Sequence, residues 1–557
     1  MTPDLFRRLT QELYERLSIR GGVEPFRLAA YERLTRAAQT LPDTAFDNCD
    51  ALLKALQELP GIGPGLLALA RELYQTGTHP LLQDLQNEIP DTVLEMLRIG
   101  GLGPKRIHQV WYELRIPSPE KLLEAIERGK LNKLKGWGPA TLQRLEESIR
   151  QYLATRNLLL YYEAARLWEG ILEKLGDSGS FLHPVGEFRR ALPLLERVEV
   201  LVPLSQRDRV VSVLPSEAVV SPEGVQLMGG KVVLSWVAEE ALGWALIERT
   251  GPAAFVEALK GRLGEGMVTA GLSEEEIFKA AGLPYVLPQW RDWEDILTLA
   301  GEGRLPEPLQ LNRIQGTVHV HTTYSDGANT LEEMARAARA MGWRYLGIAD
   351  HSMRAAYAGG LPPEKLLEQG KAIQALNAEY GGSFILLHGV EADILPDGQI
   401  DYEEEVWKKL DYLVASIHEK LQMDRSEATQ RLLRAVCNPY VRILGHWTGR
   451  LLRGRAGYPI DEEAILDACA KHGVAIEFNG NPYRMEIDWR WVRRAAEKGV
   501  SIVLTTDAHS TRELQYLPYA LNVLQKGLLP PALFLNYQGP EVFRHRPAIS
   551  RDGKSFA

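Results

Sequence analysis

Over residues 1–157 apolar side chains recur at spacings of three and four, the period of helices that bury one face. Three breaks in this pattern are alike: Pro60-Gly61-Ile62-Gly63-Pro64, Gly101-Leu102-Gly103-Pro104-Lys105 and Gly136-Trp137-Gly138-Pro139-Ala140. Each follows one helical run and opens the next, at separations of 40 and 35 residues. Over 158–290 helical runs such as Tyr161 to Leu175 mix with β-branched runs such as Val198 to Val202 and Val232 to Leu234, which predicts an α+β block. Residues 291–315, polar and containing Leu305-Pro306-Glu307-Pro308-Leu309, read as a linker. From Gly316 onward, seven apolar strand candidates alternate with mostly helical runs: Thr317 to His321, Tyr345 to Asp350, Phe384 to Glu391, Tyr412 to His418, Val441 to His446, Val474 to Asn479 and Ser501 to Asp507. Seven βα units suit a parallel barrel, whose functional groups gather at the carboxyl ends of its strands. Six of the seven runs end in His, Asp or Glu, as that rule requires.

Composition narrows the class without changing this layout. With 557 residues, 45% hydrophobic and 25% charged, the chain is ordinary globular material of three or four domains; disordered and collagen-like readings are excluded and a single module is disfavoured. No stretch nears 18 consecutive apolar residues, and the start, MTPDLFRRLTQELYERL, has helical spacing rather than an apolar signal core. The expected location is the cytoplasm, with no membrane partner. Cys49, Cys437 and Cys469 have no short spacing, so neither a disulfide framework nor a cysteine zinc site is expected. The net charge of −9 argues against coating nucleic acid by bulk positive field, but residues 101–150 hold 10 basic and 6 acidic side chains. Nine of the twelve histidines follow residue 315, which points to a metal site there.

Residues two apart on a strand face one way, so His319 and His321 in VHVHTT converge, as do Asp507 and His509 in LTTDAHS. Between them stand Asp326 in YSDGAN, His351 in IADHS, Glu391 in GVEAD, His418 in SIHEK and His446 in LGHWTGR. Six imidazoles and three carboxylates exceed one tetrahedral ion and suit two or three. Clustered divalent ions acidify water and clamp both oxygens of an in-line phosphoryl displacement, so the chemistry suggested is phosphoester hydrolysis. Arg450 and Arg484 are cations near strand ends that could hold the phosphate. His388, His472 and His545 fit no strand-end pattern and are assigned to structure, and Asp350 is read as supporting the site rather than ligating. In the amino-terminal breaks, glycines without Cβ let backbone N–H groups approach a phosphate, and the following helix adds its dipole. Gly61, Gly63, Gly101, Gly103, Gly136 and Gly138, with Lys105, Arg106, Lys133 and Lys135, are the candidate DNA contacts.

In this order, HVHTTYSDG, ADHS, GVEAD, SIH, GHWTGR, GNPYR and TDAH resemble the PHP (polymerase and histidinol phosphatase) domain over residues 316 to about 545. Trp447 departs from the family's GHPTGR form of one motif. The resemblance implies a distorted seven-stranded barrel with three divalent ions, Mn²⁺ or Zn²⁺. His319, His321, Glu391 and Asp507 would hold one, His418 and His446 a second bridged by Glu391, and Asp326, His351 and His509 the third.

The glycine turns and FRLAAYERL at 26–34 resemble the helix-hairpin-helix and lyase-like regions of bacterial family X DNA polymerases, which carry a PHP domain at the carboxyl end. The implied layout is a lyase-like domain (1–90) with the first hairpin, a fingers-like domain (91–157) with two, a nucleotidyltransferase-like palm and thumb (158–290), the linker (291–315) and the PHP domain (316–557). The palm motif departs from the family: Gly186, Arg189 and Arg190 are kept in VGEFRRALPLLERVEVLV, but Glu187 replaces the serine, and Arg197 and Glu199 replace two metal-binding aspartates. No aspartate occurs between Asp208 and Asp292 to supply the third. The expectation is a degenerate palm without polymerase activity. The resemblance implies a monomeric 3′–5′ exonuclease, with AP-endonuclease or 3′-phosphatase activity as variants, acting in DNA repair on gapped, nicked or 3′-ended duplex irrespective of sequence. Two alternatives are an active gap-filling polymerase with associated exonuclease, and a small-molecule phosphatase of histidinol-phosphatase type.

Overall fold

Each of the three glycine runs becomes the same turn. The first glycine of each takes the left-handed backbone region, with φ of 81° at Gly61, 89° at Gly101 and 91° at Gly136, which a side chain would disfavour. The second caps a helix that begins with proline: Gly63 before Pro64–Thr76, Gly103 before Pro104–His108 and Gly138 before Pro139–Thr155. Proline lacks the N–H that a first helical turn cannot satisfy, so it fits there. The structure, a computed structural model, describes residues 1–132, 134–175, 181–264 and 268–544. Lys133 and His545 lie outside the described residues. Two compact units are present, Met1–Arg156 with Arg453–Ala456, and the remainder of the chain.

The first unit is helical, with one core around Phe6, Leu13, Leu34, Leu52 and Leu73 and another around Val93, Val110, Ile126, Leu145 and Ile149. Lys105 and Lys135 are exposed. Arg106, a candidate DNA contact, folds back instead: it donates to the Gly101 carbonyl at 2.7 Å, and its guanidinium lies over the Trp137 ring. No helix among the described residues is long and apolar enough to cross a membrane.

In the second unit a mixed five-stranded sheet, in the spatial order His183–Val185, Val198–Pro203, Val232–Val237, Gly224–Leu227 and Val219–Val220, precedes a seven-stranded parallel sheet. The parallel strands, in sequence order around the sheet, are Gly316–Val320, Tyr345–Ile348, Ile385–Asp393, Tyr412–Ser416, Val441–Leu444, Ala475–Asn479 and Ile502–Thr505. Each overlaps the run expected for it. The Val320–Ala508 bridge joins the first strand to the end of the seventh and nearly closes a barrel. Val318, Leu387, Tyr412, Val414, Ile443, Ala475 and Val503 pack in its interior, and Phe543 packs against them. Two and four residues further along the same faces stand Gly389 and Glu391, Ser416 and His418, Glu477 and Asn479, and Thr505 and Asp507, so the interior changes from apolar to polar toward the strands' carboxyl ends. Gly347 and Gly389 make room for the Tyr412 ring, with which a Cβ at either would collide.

The expected linker is a packed segment. Ile296–Gly301 is helical, with Ile296, Leu297, Leu299 and Ala300 buried; Arg291 is buried, and the Leu309 N–H donates to Gln525 at 3.0 Å. Its apolar residues have helical spacing, which the flanking prolines obscured. One hydrophobic core runs from the five-stranded sheet into the barrel.

Candidate metal centre

Glu391 is the hub of the barrel's polar end. Its carboxylate is 1% exposed and lies 2.9 Å from His446 Nε2, 2.9 Å from His351 Nδ1, 3.1 Å from His418 Nε2, 3.3 Å from His319 Nε2 and 3.7 Å from His321 Nε2. Asp507 lies 3.1 Å from His321 and 3.5 Å from His319, and Asp326 lies 3.3 Å from His509 and 3.6 Å from His351. All nine expected residues are thus brought together. Eight of them fall into three overlapping groups able to share an ion: His321, Asp326, His351 and His509; His319, His321 and Asp507; and His351, Glu391 and His418; His446 stands outside these groups, beside Glu391. The grouping differs from the partition implied by the resemblance, since His351 serves both the Asp326 and the Glu391 sides.

The backbone bends to achieve this. Val318 and His319, adjacent in sequence, both face inward, because the first strand shifts register between Thr317 and Val320 and His319 has φ of 61°. Simple alternation therefore gave the right convergence of His319 and His321, whose ring centroids lie 5.4 Å apart, for an incomplete reason. Asp507 also has a positive φ, 52°. Such conformations cost non-glycine residues on the order of 1–3 kcal/mol each and persist where the surroundings hold them.

The donor set fits divalent ions. Among these buried groups, His319 Nε2, His321 Nδ1, His351 Nδ1, His446 Nδ1 and Glu391 Oε2 make no well-aligned hydrogen bond, although His351 Nδ1 and Glu391 Oε2 lie 2.9 Å apart; buried polar atoms held this way are costly unless something binds them. The field favours positive charge. Burial opposes a charged His319 ring, but Glu477, Glu391 and Asp507 outweigh it and hold its pKa well above the usual imidazole value. Against the same opposition from burial, Glu391 and Asp326 raise His418 and His509, respectively, to about 10. Conversely, burial with His509 and His351 nearby lowers His321 to about 3. Glu391 and Asp507 are held well below the carboxylate range, burial notwithstanding, by the surrounding imidazoles.

Several residues that sequence reasoning passed over orient these ligands. Glu477, fully buried, accepts from His319 Nδ1 at 2.5 Å, the His446 N–H at 2.6 Å and the Thr505 hydroxyl at 2.6 Å. Asp393 accepts from His418 Nδ1 at 2.7 Å, and the Asp507 carbonyl from His509 Nδ1 at 2.8 Å. Each of the three bonds from a ring Nδ1 holds a proton on that nitrogen and turns the ring's Nε2 inward as the atom that can ligate. The signal was period two: Glu477 precedes Asn479 by two, and Asp393 follows Glu391 by two. Asp350 supports the site by accepting from the Thr322 N–H and hydroxyl and from Gln369. Trp447 and His388 are buried.

The two arginines part ways. Arg484 faces the centre, its Nε 3.6 Å from Asp507. Arg450 is turned to the neighbouring loop, donating to the Arg484 carbonyl at 3.1 Å, the Met485 carbonyl and Asp488 at 3.0 Å. The expected phosphate-holding role of Arg450 is corrected accordingly: its guanidinium nitrogens already hold that loop.

The five-stranded sheet is arranged differently. Arg189 is bidentate to Glu274, at 2.6 and 3.1 Å; Arg190 pairs with Asp292 at 3.0 Å, and Asp292 with the buried Lys526. Both arginines are largely buried in these ion pairs. Glu187 accepts from the Glu196 N–H at 2.9 Å, and Arg197 lies 3.4 Å from Glu199. Among the described residues, the groupings able to hold a metal lie in the barrel.

Residues 317–481 match the PHP domain family. Over 93% of its length the chain is 29% identical to "DNA polymerase/3'-5' exonuclease PolX" of Bacillus subtilis (strain 168), covering 95% of that protein. A probable phosphatase of Caldanaerobacter subterraneus subsp. tengcongensis is 32% identical over 39% of this chain and 85% of its own length. Another, from Thermoanaerobacter sp. (strain X514), is 31% identical over 39% of this chain and 88% of its own length. The chain is therefore a PolX-like protein that belongs, through its carboxyl-terminal barrel, to the PHP family.

Proposed function

We propose that this chain is a metal-dependent phosphoesterase that removes nucleotides from DNA 3′ ends, that its helical region grips duplex irrespective of sequence, and that it does not polymerise. One observation carries the hydrolytic reading: five imidazoles converge on the buried Glu391 carboxylate within 3.7 Å, with ring nitrogens that make no well-aligned hydrogen bond. Three divalent ions, Mn²⁺ or Zn²⁺, suit nine nitrogen and oxygen donors without a thiolate. His319, His321, Asp326, His351, Glu391, His418, His446, Asp507 and His509 would hold them. Such ions, when bound, acidify water and steady the attacking and leaving oxygens of an in-line displacement at phosphorus. The chain's own contribution is orientation and charge. Glu477 and Asp393 set the tautomers of His319 and His418, and Arg484 balances the negative charge of an incoming phosphodiester.

The DNA grip rests on the hairpin glycines. Gly63, Gly103 and Gly138 have ordinary backbone angles, and an added Cβ would meet nothing within 4 Å. Packing inside the protein does not require glycine there, whereas close approach by a phosphate backbone does. The loss of polymerisation rests on Arg197, which brings a positive charge where a metal-binding aspartate would stand and pairs with Glu199, the carboxylate at the other aspartate position. End trimming of this kind suits gap or base-excision repair, and AP-site cleavage or 3′-phosphate removal would use the same centre.

Two observations favour other readings: the Bacillus relative is named a polymerase, and the shorter relatives are named probable phosphatases. One gel assay separates the three. A 5′-labelled gapped duplex is incubated with Mn²⁺, with and without dNTPs, beside histidinol phosphate as competing ester, using wild type, His319→Ala and Asp507→Ala. The expected result is shortening by wild type alone and no extension. Extension with dNTPs would overturn the loss of polymerisation, and turnover of the ester without shortening would make the chain a small-molecule phosphatase.

A further inference from the structure

Large apolar side chains turned to solvent are few on the barrel: among described residues of 316–544 they are Met341, Met353, Tyr357 and Tyr483. Three of these four stand on loops that follow the carboxyl ends of strands, the end that carries the metal-ligating side chains. Met353 and Tyr357 lie between the second strand and helix Pro363–Tyr380, and Tyr483 follows the sixth strand, directly before Arg484. Tyr357 is 71% exposed, and its ring centroid lies 6.3 Å from that of His351. Isolated exposed apolar residues are ordinary, but three of four gathered on the loops at the metal-ligating end of the barrel mark a surface that meets a ligand.

The loop is built to keep this ring outside. At its base the Ser352 N–H donates to the Glu391 carbonyl at 3.0 Å and the Leu361 N–H to the His351 carbonyl at 2.9 Å, so both ends are tied to ligand-bearing backbone. Between them the Met353 N–H donates to the Tyr402 hydroxyl at 3.1 Å and the Arg354 N–H to Asp401 at 2.8 Å, while the Tyr402 hydroxyl donates to the Leu361 carbonyl. Gly360 passes so close to the Ser352 carbonyl that a Cβ would collide with it, and Gly359 turns the chain with φ of 70°. The aromatic face is therefore presented at a fixed place beside His351.

We propose that Tyr357 is a stacking platform for the base of a nucleotide adjoining the scissile phosphate, so that the barrel selects a nucleic-acid 3′ end over a small phosphate ester. This deepens the exonuclease reading and rests on it. A phosphate in the pocket satisfies the ions and Arg484 alike whatever it is attached to; a flat π-face beside the pocket adds affinity only when the ester carries a base. Every base has such a face, so the preference is for a base as such rather than for a sequence.

The test uses the full-length, Mn²⁺-loaded protein and oligonucleotides that differ only in an abasic tetrahydrofuran residue at the 3′-terminal or penultimate position. For wild type and Tyr357→Phe, one of the abasic substrates should lose about 5- to 150-fold in kcat/KM, the range that stacking of one base supplies. Tyr357→Ala should process normal and abasic ends alike, at the abasic rate, with its metal content and thermal midpoint unchanged. In parallel, a 3′-terminal 2-aminopurine is followed by stopped-flow fluorescence, where stacking quenches emission before hydrolysis. Continued shortening with the full base preference in Tyr357→Ala, or with none in wild type, overturns the platform and leaves the exonuclease intact. Quenching by wild type, lost in Tyr357→Ala, without any shortening upholds the platform and sinks the exonuclease; neither quenching nor shortening overturns both.

Discussion

The barrel and the five-stranded sheet share one hydrophobic core, and both set carboxylates near the ends or edges of strands, but they pair them with different cations. In the barrel, Glu391, Asp507 and Asp326 face imidazoles, whose protons can be exchanged for an ion. In the sheet and its neighbours, Glu199 faces Arg197, Glu274 faces Arg189, and Asp292 faces Arg190 and Lys526. A guanidinium stays protonated and has no lone pair to offer, so such a carboxylate is already neutralised and closed to a metal. The count of acidic groups therefore says little about metal chemistry; what each one faces decides it.

That contrast breaks most visibly at Glu391. Glu391→Gln should abolish most metal uptake and lower DNA shortening on the order of 10³-fold or more, the scale of the several kcal/mol that metal ions contribute to such displacements. Glu199→Gln should change neither; elemental analysis beside the gel assay reads both, and an equal loss in the two variants would erase the distinction. A smaller loss is expected where a residue only orients a ligand. Glu477→Gln should weaken metal affinity or activity by about 10- to 100-fold, with a protein that still folds and still binds metal at higher concentration.

The smallest effect is on protons. In the metal-free protein His418 and His509 are raised to about 10 by their carboxylate partners, against the opposition of burial. Near neutral pH both therefore carry protons that a metal must displace, and metal affinity should rise with pH. His319 is raised as well, so calorimetry in buffers of different ionisation enthalpy should register release of about two to three protons per chain. The linked stability has a definite sign. These folded pKa values lie above the ordinary value of about 6.5, so the contribution is complete below about pH 6.5 and fades as pH rises through about 10. The thermal midpoint of metal-free protein should fall over that window, and a midpoint that climbs instead would contradict the assigned charges.

Much of this architecture was legible before any coordinates. The seven strands, their parallel order and the nine convergent residues follow from local rules: alternation of side chains along a strand, helical spacing between strands, and chemistry at strand ends. The three glycine turns were equally plain, because positive φ and a proline-led helix start leave a local mark. Residues 291–315 were misread because two prolines and several charges hid the helical spacing of Ile296, Leu297, Leu299 and Ala300.

What the sequence determined alone is thus the set of parts: strands, turns and a ligand set whose residue types already announce metal-dependent chemistry. Tertiary structure decided their partners. Glu477 meets His319 across 158 residues, Arg450 turns to the loop of 484–488, and Asp292 is claimed by Lys526 across 234. Strand and helix periods are set by neighbours along the chain, whereas the partner that neutralises a buried charge is set by whichever element the closed barrel brings against it.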